Sequence, residues 1–124
     1  MEKDLEQRTK RFGLAVIKFC ALLPRNREGD VLARQLLRSA TSIGANYRAA
    51  CRSRSRAEFA AKLGIVAEEA DETIYWLELI RDGNVLPESK IADLLQEADE
   101  LTAIFTAGRR TSSGNQTSNT KLQT

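Results

Sequence analysis

Arginine is concentrated in one segment of the chain, at spacings that place the guanidinium groups on one side of a helix. Residues 30–56 hold six arginines against a single acid, Asp30. At about 100° per residue, the four arginines between positions 34 and 52 fall within a sector of about 80°. A guanidinium group is a planar fork of donors that suits phosphate or carboxylate partners. The pattern predicts an RNA- or DNA-binding surface made by Arg34, Arg38, Arg48, Arg52, Arg54 and Arg56.

An acidic segment follows and offers these arginines a different partner. Residues 57–82 hold seven acids against Lys62 and Arg81, and the densest run is 68–72, Glu-Glu-Ala-Asp-Glu. Two blocks of opposite charge can complement each other within or between subunits. The competing interpretation is therefore a structural or protein-interaction scaffold, in which the arginines pair with the acidic third helix of a neighbouring subunit.

The chain contains no histidine, which narrows the possible chemistry. Histidine is the usual general base, the commonest zinc ligand and a member of every Ser-His or Cys-His pair. Paired helical carboxylates can hold two metal ions, but the di-iron pattern also needs Glu-x-x-His. We expect a non-catalytic protein without a metal site or cofactor.

Cysteine usage and the first residues of the chain bear on cellular location. Cys20 and Cys51 lack CxxC spacing, and both fall on predicted apolar helix faces, where thiols behave as small hydrophobes. The first ten residues are mostly charged or polar and lack the apolar core of a signal peptide. No window of the sequence comes near the run of about 18 apolar residues that a membrane span needs. We expect a cytoplasmic protein that does not associate with membranes.

Apolar residues recur at helical spacing in four segments, and no strand pattern competes with them. The predicted boundaries are Leu23-Pro24 at the end of the first helix, Asp30 as N-cap of the second, a capping box of Ser55 and Glu58 at the start of the third, and Pro87 at the start of the fourth. Short loops favour antiparallel neighbours. We predict an all-α, antiparallel up-down-up-down four-helix bundle over residues 1–107. Residues 108–124 are rich in Ser, Thr, Asn and Gln and predict a disordered polar tail.

Two of these helices carry more apolar surface than one bundle core requires. Leu14 and Ile17 form a second stripe on the first helix, and Trp76 lies almost a third of a turn from the core stripe of the third. Extra apolar patches with aromatic anchors mark subunit contacts, although scattered exposed apolar residues also occur in monomers. We expect self-association. The predicted subunit-interface residues are Leu14, Ile17, Ile65, Glu69, Glu72, Trp76 and Leu79.

The second helix also carries a sequence motif, Gln-Leu-x-Arg-x-x-x-Ser-Ile-x-x-Asn. Its matching residues are Gln35, Leu36, Arg38, Ser42, Ile43 and Asn46, and Glu58 and Phe59 follow after Ser55. On these residues the chain resembles, from about position 11 to 105, the bacterial four-helix-bundle proteins encoded by intervening sequences in 23S rRNA genes.

The resemblance implies an antiparallel four-helix bundle that assembles into a ring, typically a homopentamer. A related branch looks like the accessory protein of diversity-generating retroelements, a basic pentameric barrel that contacts nucleic acid and a reverse transcriptase. This chain departs from the family at 49–51, Ala-Ala-Cys, where Glu-Gly is frequent, and at 68–72, which replaces a Gly-Ser pair. These departures indicate a subgroup.

Overall fold

The computed structural model of the chain describes the backbone of residues 4–123 and the side chains of residues 4–113. Over this range it contains four helices and no strand, which confirms the predicted all-α class. The helices are α1 (Leu5–Cys20), α2 (Arg27–Ala50), α3 (Arg56–Asp82) and α4 (Glu88–Gln123).

Helices that follow one another in the sequence pack against one another, and α4 returns to contact α1. Ion pairs support this last contact, which is the least extensive of the four. The Arg8 guanidinium donates to Glu97 through Nε at 2.8 Å and through a terminal nitrogen at 2.7 Å, and it also reaches Glu100 at 3.0 Å. The packing is that of a four-helix bundle.

One hydrophobic core runs through the bundle and is built from the inward-facing apolar side chains of all four helices. Tyr47 of α2 and Phe105 of α4 meet in it with ring centroids 5.2 Å apart. Burial of the inward faces stabilises the helices, since about 1.5–3 kcal/mol accompanies each large apolar side chain removed from water. The fully buried large side chains include Leu5, Val16, Leu36, Ile43, Leu63, Val66, Leu77, Ile80, Ile91, Leu101 and Phe105.

The second helix begins earlier than the sequence predicted, so the assignment of Asp30 as N-cap was wrong. Asn26 caps α2, and its side-chain oxygen accepts a hydrogen bond from the Gly29 N–H at 2.8 Å. The early start brings the first turn of α2 against the preceding loop. A Cβ at position 29 would overlap the carbonyl oxygen of Pro24, so this turn requires glycine.

The capping box at the start of α3 is confirmed. The Ser55 hydroxyl accepts from the Glu58 N–H at 3.1 Å, and the Glu58 carboxylate accepts from the Arg54 N–H at 3.1 Å. The Arg54 N–H lowers the pKa of Glu58, and the Lys62 ammonium, 3.1 Å from the carboxylate oxygen, lowers it further. At the other end of α3, Asn84 has φ of 55° and turns the chain toward α4.

The fourth helix continues past residue 107, where the bundle was predicted to end. Gly108 is buried, and a Cβ at Gly64 of α3 would lie 3.3 Å from the Cδ atom of Arg109. The Arg109 side chain therefore packs on α3. No proline interrupts 108–123, and extending an existing helix avoids the cost of nucleation. Disorder of the 108–124 segment stays a prediction; residue 124 and the side chains from 114 onward lie outside the described residues.

Candidate nucleic-acid interface

All six predicted arginines are exposed on the outer surface of the bundle. Arg34, Arg38 and Arg48 project from α2, whereas Arg52 and Arg54 follow its last residue and Arg56 begins α3. The sequence interpretation had placed Arg52 within the helix. It lies instead in the turn after α2, where its N–H bonds to the Ala49 carbonyl at 3.1 Å. We call these six residues the arginine face.

Arg38 differs from the other members of the arginine face, because it forms ion pairs within its own subunit. Its guanidinium forms ion pairs with Glu69, at 3.4 Å, and with Glu72 of α3. The indole Nε1 of Trp76 also donates to Glu72, at 2.9 Å. The opposite charges of α2 and α3 are thus joined at one point across the surface of the bundle.

The other five arginines of the face form no ion pair with any residue whose side chain the structure describes. They are Arg34, Arg48, Arg52, Arg54 and Arg56. Exposed cations that lack carboxylate neighbours leave a positive potential at the surface, which attracts anions. Exposed guanidinium groups without ion-pair partners are chemically suited to binding several phosphate groups.

Hydroxyl and amide side chains on α2 are used for local structure. Thr41 and Ser42 donate to the carbonyls of Leu37 and Arg38, each at 2.6 Å, and Asn46 donates to the Ser42 carbonyl at 2.8 Å. Such back-bonding satisfies these groups within the helix. The arginines, and not the polar motif, supply the free donors of this surface.

A groove between α1 and α2 adjoins the arginine face. It has a volume of about 550 Å³. Small residues widen it, because Gly13 and Gly44 present no side chain, and Leu14 and Ile17 give it an apolar wall. Its charged rim consists of Glu6, Lys10, Arg48 and Arg52. Sequence analysis missed Lys10, although its spacing to Leu14 and Ile17 places all three on one side of α1.

The predicted subunit-interface residues separate into two groups. Leu14, Ile17, Ile65 and Leu79 are exposed, by 53%, 51%, 46% and 39%. Glu69, Glu72 and Trp76 are only partly exposed, because they form the Arg38 cluster or pack on the core. Tyr75, which sequence analysis did not single out, is 52% exposed and forms an edge-on contact with Trp76 at a centroid distance of 5.1 Å.

The two thiols differ in environment. Cys20 is half-buried, and desolvation raises its pKa to about 11. Cys51 is exposed, which corrects the expectation that it lies on an apolar face, because the turn after α2 carries it out of the core. Partial desolvation also raises the pKa of the Cys51 thiol. Raised pKa values make both thiols weak nucleophiles.

Among the residues described, no three Cys, Asp or Glu side chains are grouped in a way that could hold a metal ion. No helix in the described part of the chain combines the length and apolar character needed to cross a membrane.

The fold and the site define a class: an all-α protein of four packed helices with an exposed, largely unpaired arginine face. More specifically, the chain belongs to the 23S rRNA-intervening sequence protein family, whose model matches residues 2–107. This confirms the resemblance seen in the sequence.

One solved structure shows the same fold with appreciable sequence identity. It is a protein with unknown function from the S23 ribosomal protein family of Bacteroides thetaiotaomicron, to which this chain is 31% identical with a TM-score of 0.76. The likeness covers 82% of this chain and 94% of that one. No curated protein matches the sequence.

Proposed function

We propose that this protein is a non-catalytic, oligomeric, cytoplasmic four-helix bundle whose arginine face binds RNA or DNA. The observation that carries the proposal is the state of the arginines. All six are exposed, and five have no carboxylate partner among the described side chains. Exposed cations without carboxylate neighbours attract a polyanion, which supplies the missing anions.

The recognition would address the phosphate backbone. Base readout of single strands relies on aromatic side chains as stacking platforms, but the arginine face contains no aromatic residue: Tyr47 of α2 is buried against Phe105, and the exposed Tyr75 belongs to α3. Guanidinium groups bind phosphate in bidentate fashion without reading sequence. The family's description refers to 23S rRNA, so fragments of that RNA are the first ligands to test.

The proposed bundle has antiparallel neighbouring helices and assembles into a ring of identical subunits, with a homopentamer as the expected size. The contact of Gly64 with Arg109 supports the antiparallel direction of α3 and α4, because it pairs the first part of one helix with a late part of the other. The exposed apolar residues of α1 and α3 support self-association.

Filter binding of labelled rRNA fragments across a salt series tests the nucleic-acid proposal. The test variant replaces Arg34, Arg54 and Arg56 with Gln, which removes three unpaired cations that do not line the α1–α2 groove. The matched control replaces Arg11, Arg25 and Lys90, three exposed cations elsewhere, and changes the net charge equally.

Five arginines on phosphates predict a log–log salt slope of about −3.5 on single strands and about −4.5 on duplexes. The test variant should reduce that slope by about 2–3 and leave helical content unchanged. The control should retain the slope of the unmodified protein. Equal losses in both variants would mean that net charge alone drives binding and would contradict a localised site.

A structural scaffold is the second candidate, and the Arg38 cluster favours it. Glu69 and Glu72 already neutralise one arginine of the face, which shows that α3 acids can serve this purpose. If the neighbouring subunit neutralised the remaining arginines, the test variant would dissociate the oligomer and would have no RNA affinity to lose. Sedimentation velocity on the same samples separates the two outcomes.

A further inference from the structure

The outer face of α3 carries an exposed ridge of apolar and acidic residues, in which Glu72 is also the ion-pair partner of Arg38 from α2. Its residues recur at alternating three- and four-residue spacing, which aligns them along one side of the helix. We define the α3 ridge as Ile65, Glu68, Glu72, Tyr75 and Leu79. The three apolar members are among the largest exposed hydrophobic side chains of the described chain.

The α1–α2 groove has the opposite character. Its wall is apolar, through Leu14 and Ile17, and its rim carries Lys10, Arg48 and Arg52 against the single acid Glu6. Gly13 keeps one side open, since a Cβ there would meet no atom within 4 Å apart from the backbone of its own helix and its chain neighbours. The groove therefore offers space, apolar contact and positive charge together.

We infer that the α1–α2 groove receives the α3 ridge of a second copy of this chain. The match is both apolar and electrostatic. Tyr75 and Leu79 of the ridge would meet Leu14 and Ile17, since each pair lies within about one helical turn, while Glu68 would face the basic rim at Arg48. Apolar surface of this kind gains free energy on burial, and the paired charges select the register.

The contact would join two different surfaces, because the groove and the ridge share no residue. Such a heterologous contact leaves a free groove on one subunit and a free ridge on the other, so it propagates until a ring closes. The inference therefore rests on the proposed oligomer and specifies which faces build it. It also assigns Arg48 to the subunit contact, so that in the ring the phosphate contacts come from the other four unpaired arginines and the expected salt slope becomes about −2.8 on single strands and about −3.6 on duplexes.

Filling the groove at Gly13, a buried position whose added Cβ would meet open space, tests the inference. Gly13→Phe projects a ring into the open groove, and replacing glycine within a helix raises helix propensity. Gly13→Ala is the matched control, because it changes the same position without filling the space. By sedimentation velocity, the unmodified protein and Gly13→Ala should form oligomers, whereas Gly13→Phe should be monomeric with unchanged circular dichroism.

Charge reversal provides a second, independent readout. Arg48→Glu and Glu68→Arg should each raise the concentration of half-dissociation by about 100-fold, since facing like charges are strongly unfavourable. The chain that carries both substitutions should reassemble. An oligomer that survives Gly13→Phe, or a double variant that stays monomeric, would overturn the inference.

RNA binding by Gly13→Phe distinguishes failure of this inference from failure of the proposed function, because that variant retains every arginine. Monomers that still bind RNA support both the subunit contact and the proposed binding of nucleic acid. Monomers without affinity support the subunit contact and show that RNA binding needs the ring. An intact oligomer that loses RNA affinity would show that the groove holds nucleic acid, which overturns the inference and supports the proposed function.

Discussion

Releasing Arg38 from its carboxylate partners should strengthen nucleic-acid binding at little cost in stability. The perturbation is the double substitution Glu69→Gln and Glu72→Gln. Glutamine keeps the shape of each side chain and still offers an oxygen to the Trp76 indole, but it no longer pairs with the guanidinium. Arg38 would then become the sixth unpaired cation of the arginine face.

The structure sets the size of both effects. The Arg38 side chain is 48% exposed, against 21% for Glu69 and 36% for Glu72. Ion pairs this accessible to solvent contribute about 0–1 kcal/mol, so the free energy of unfolding should fall by about 1 kcal/mol or less. One additional phosphate contact should steepen the log–log salt slope by about 0.7–0.9.

The assay is filter binding of labelled rRNA fragments across a salt series, with urea unfolding on the same preparations. Asp93→Asn with Asp99→Asn is the matched control, since it removes two exposed acids of α4 and changes the net charge equally. A steeper slope in the Glu69/Glu72 variant alone would support the reasoning. An unchanged slope in a variant whose fluorescence at Trp76 reports an intact environment would refute it.

Three further predictions concern stability and reactivity. Gly29→Ala should lower the free energy of unfolding by about 2 kcal/mol, because the added methyl group would overlap the Pro24 carbonyl. Thermal melting measures this loss of stability, and a gain in melting temperature would contradict the close approach of Gly29 to Pro24. Glu58, whose pKa is lowered in the folded state, should stabilise the protein above the ordinary carboxyl pKa and lose that contribution as pH falls through the lowered value. The urea midpoint of Glu58→Gln should therefore depend less on pH in the acid range than that of the unmodified protein. Equal pH profiles of the two proteins would count against the capping role of Glu58. Iodoacetamide should modify exposed Cys51 before Cys20, whose pKa is about 11, as peptide mass spectrometry would show; faster reaction at Cys20 would mean that α1 opens locally.

Several features of the fold followed from the sequence, because they depend on interactions between residues close together in the chain. Helical periodicity predicted four helices, each with an apolar face, and the capping box of Ser55 and Glu58 located the start of α3. The N-cap of α2 did not follow. Asn26 and Asp30 are both good capping residues, and sequence alone gave no way to recognise that Gly29 fits beneath the Pro24 carbonyl.

The candidate site shows the same division. Composition and spacing determined that the arginines lie outside the core, since a helix that buries one face must expose the other. Only the tertiary structure decided that Arg38 is paired while Arg34 is not, because the pairing depends on which residues of α3 lie beside α2. The α1–α2 groove likewise exists only once two helices pack. Helix faces are local properties, whereas neighbours and grooves arise from contacts between distant segments.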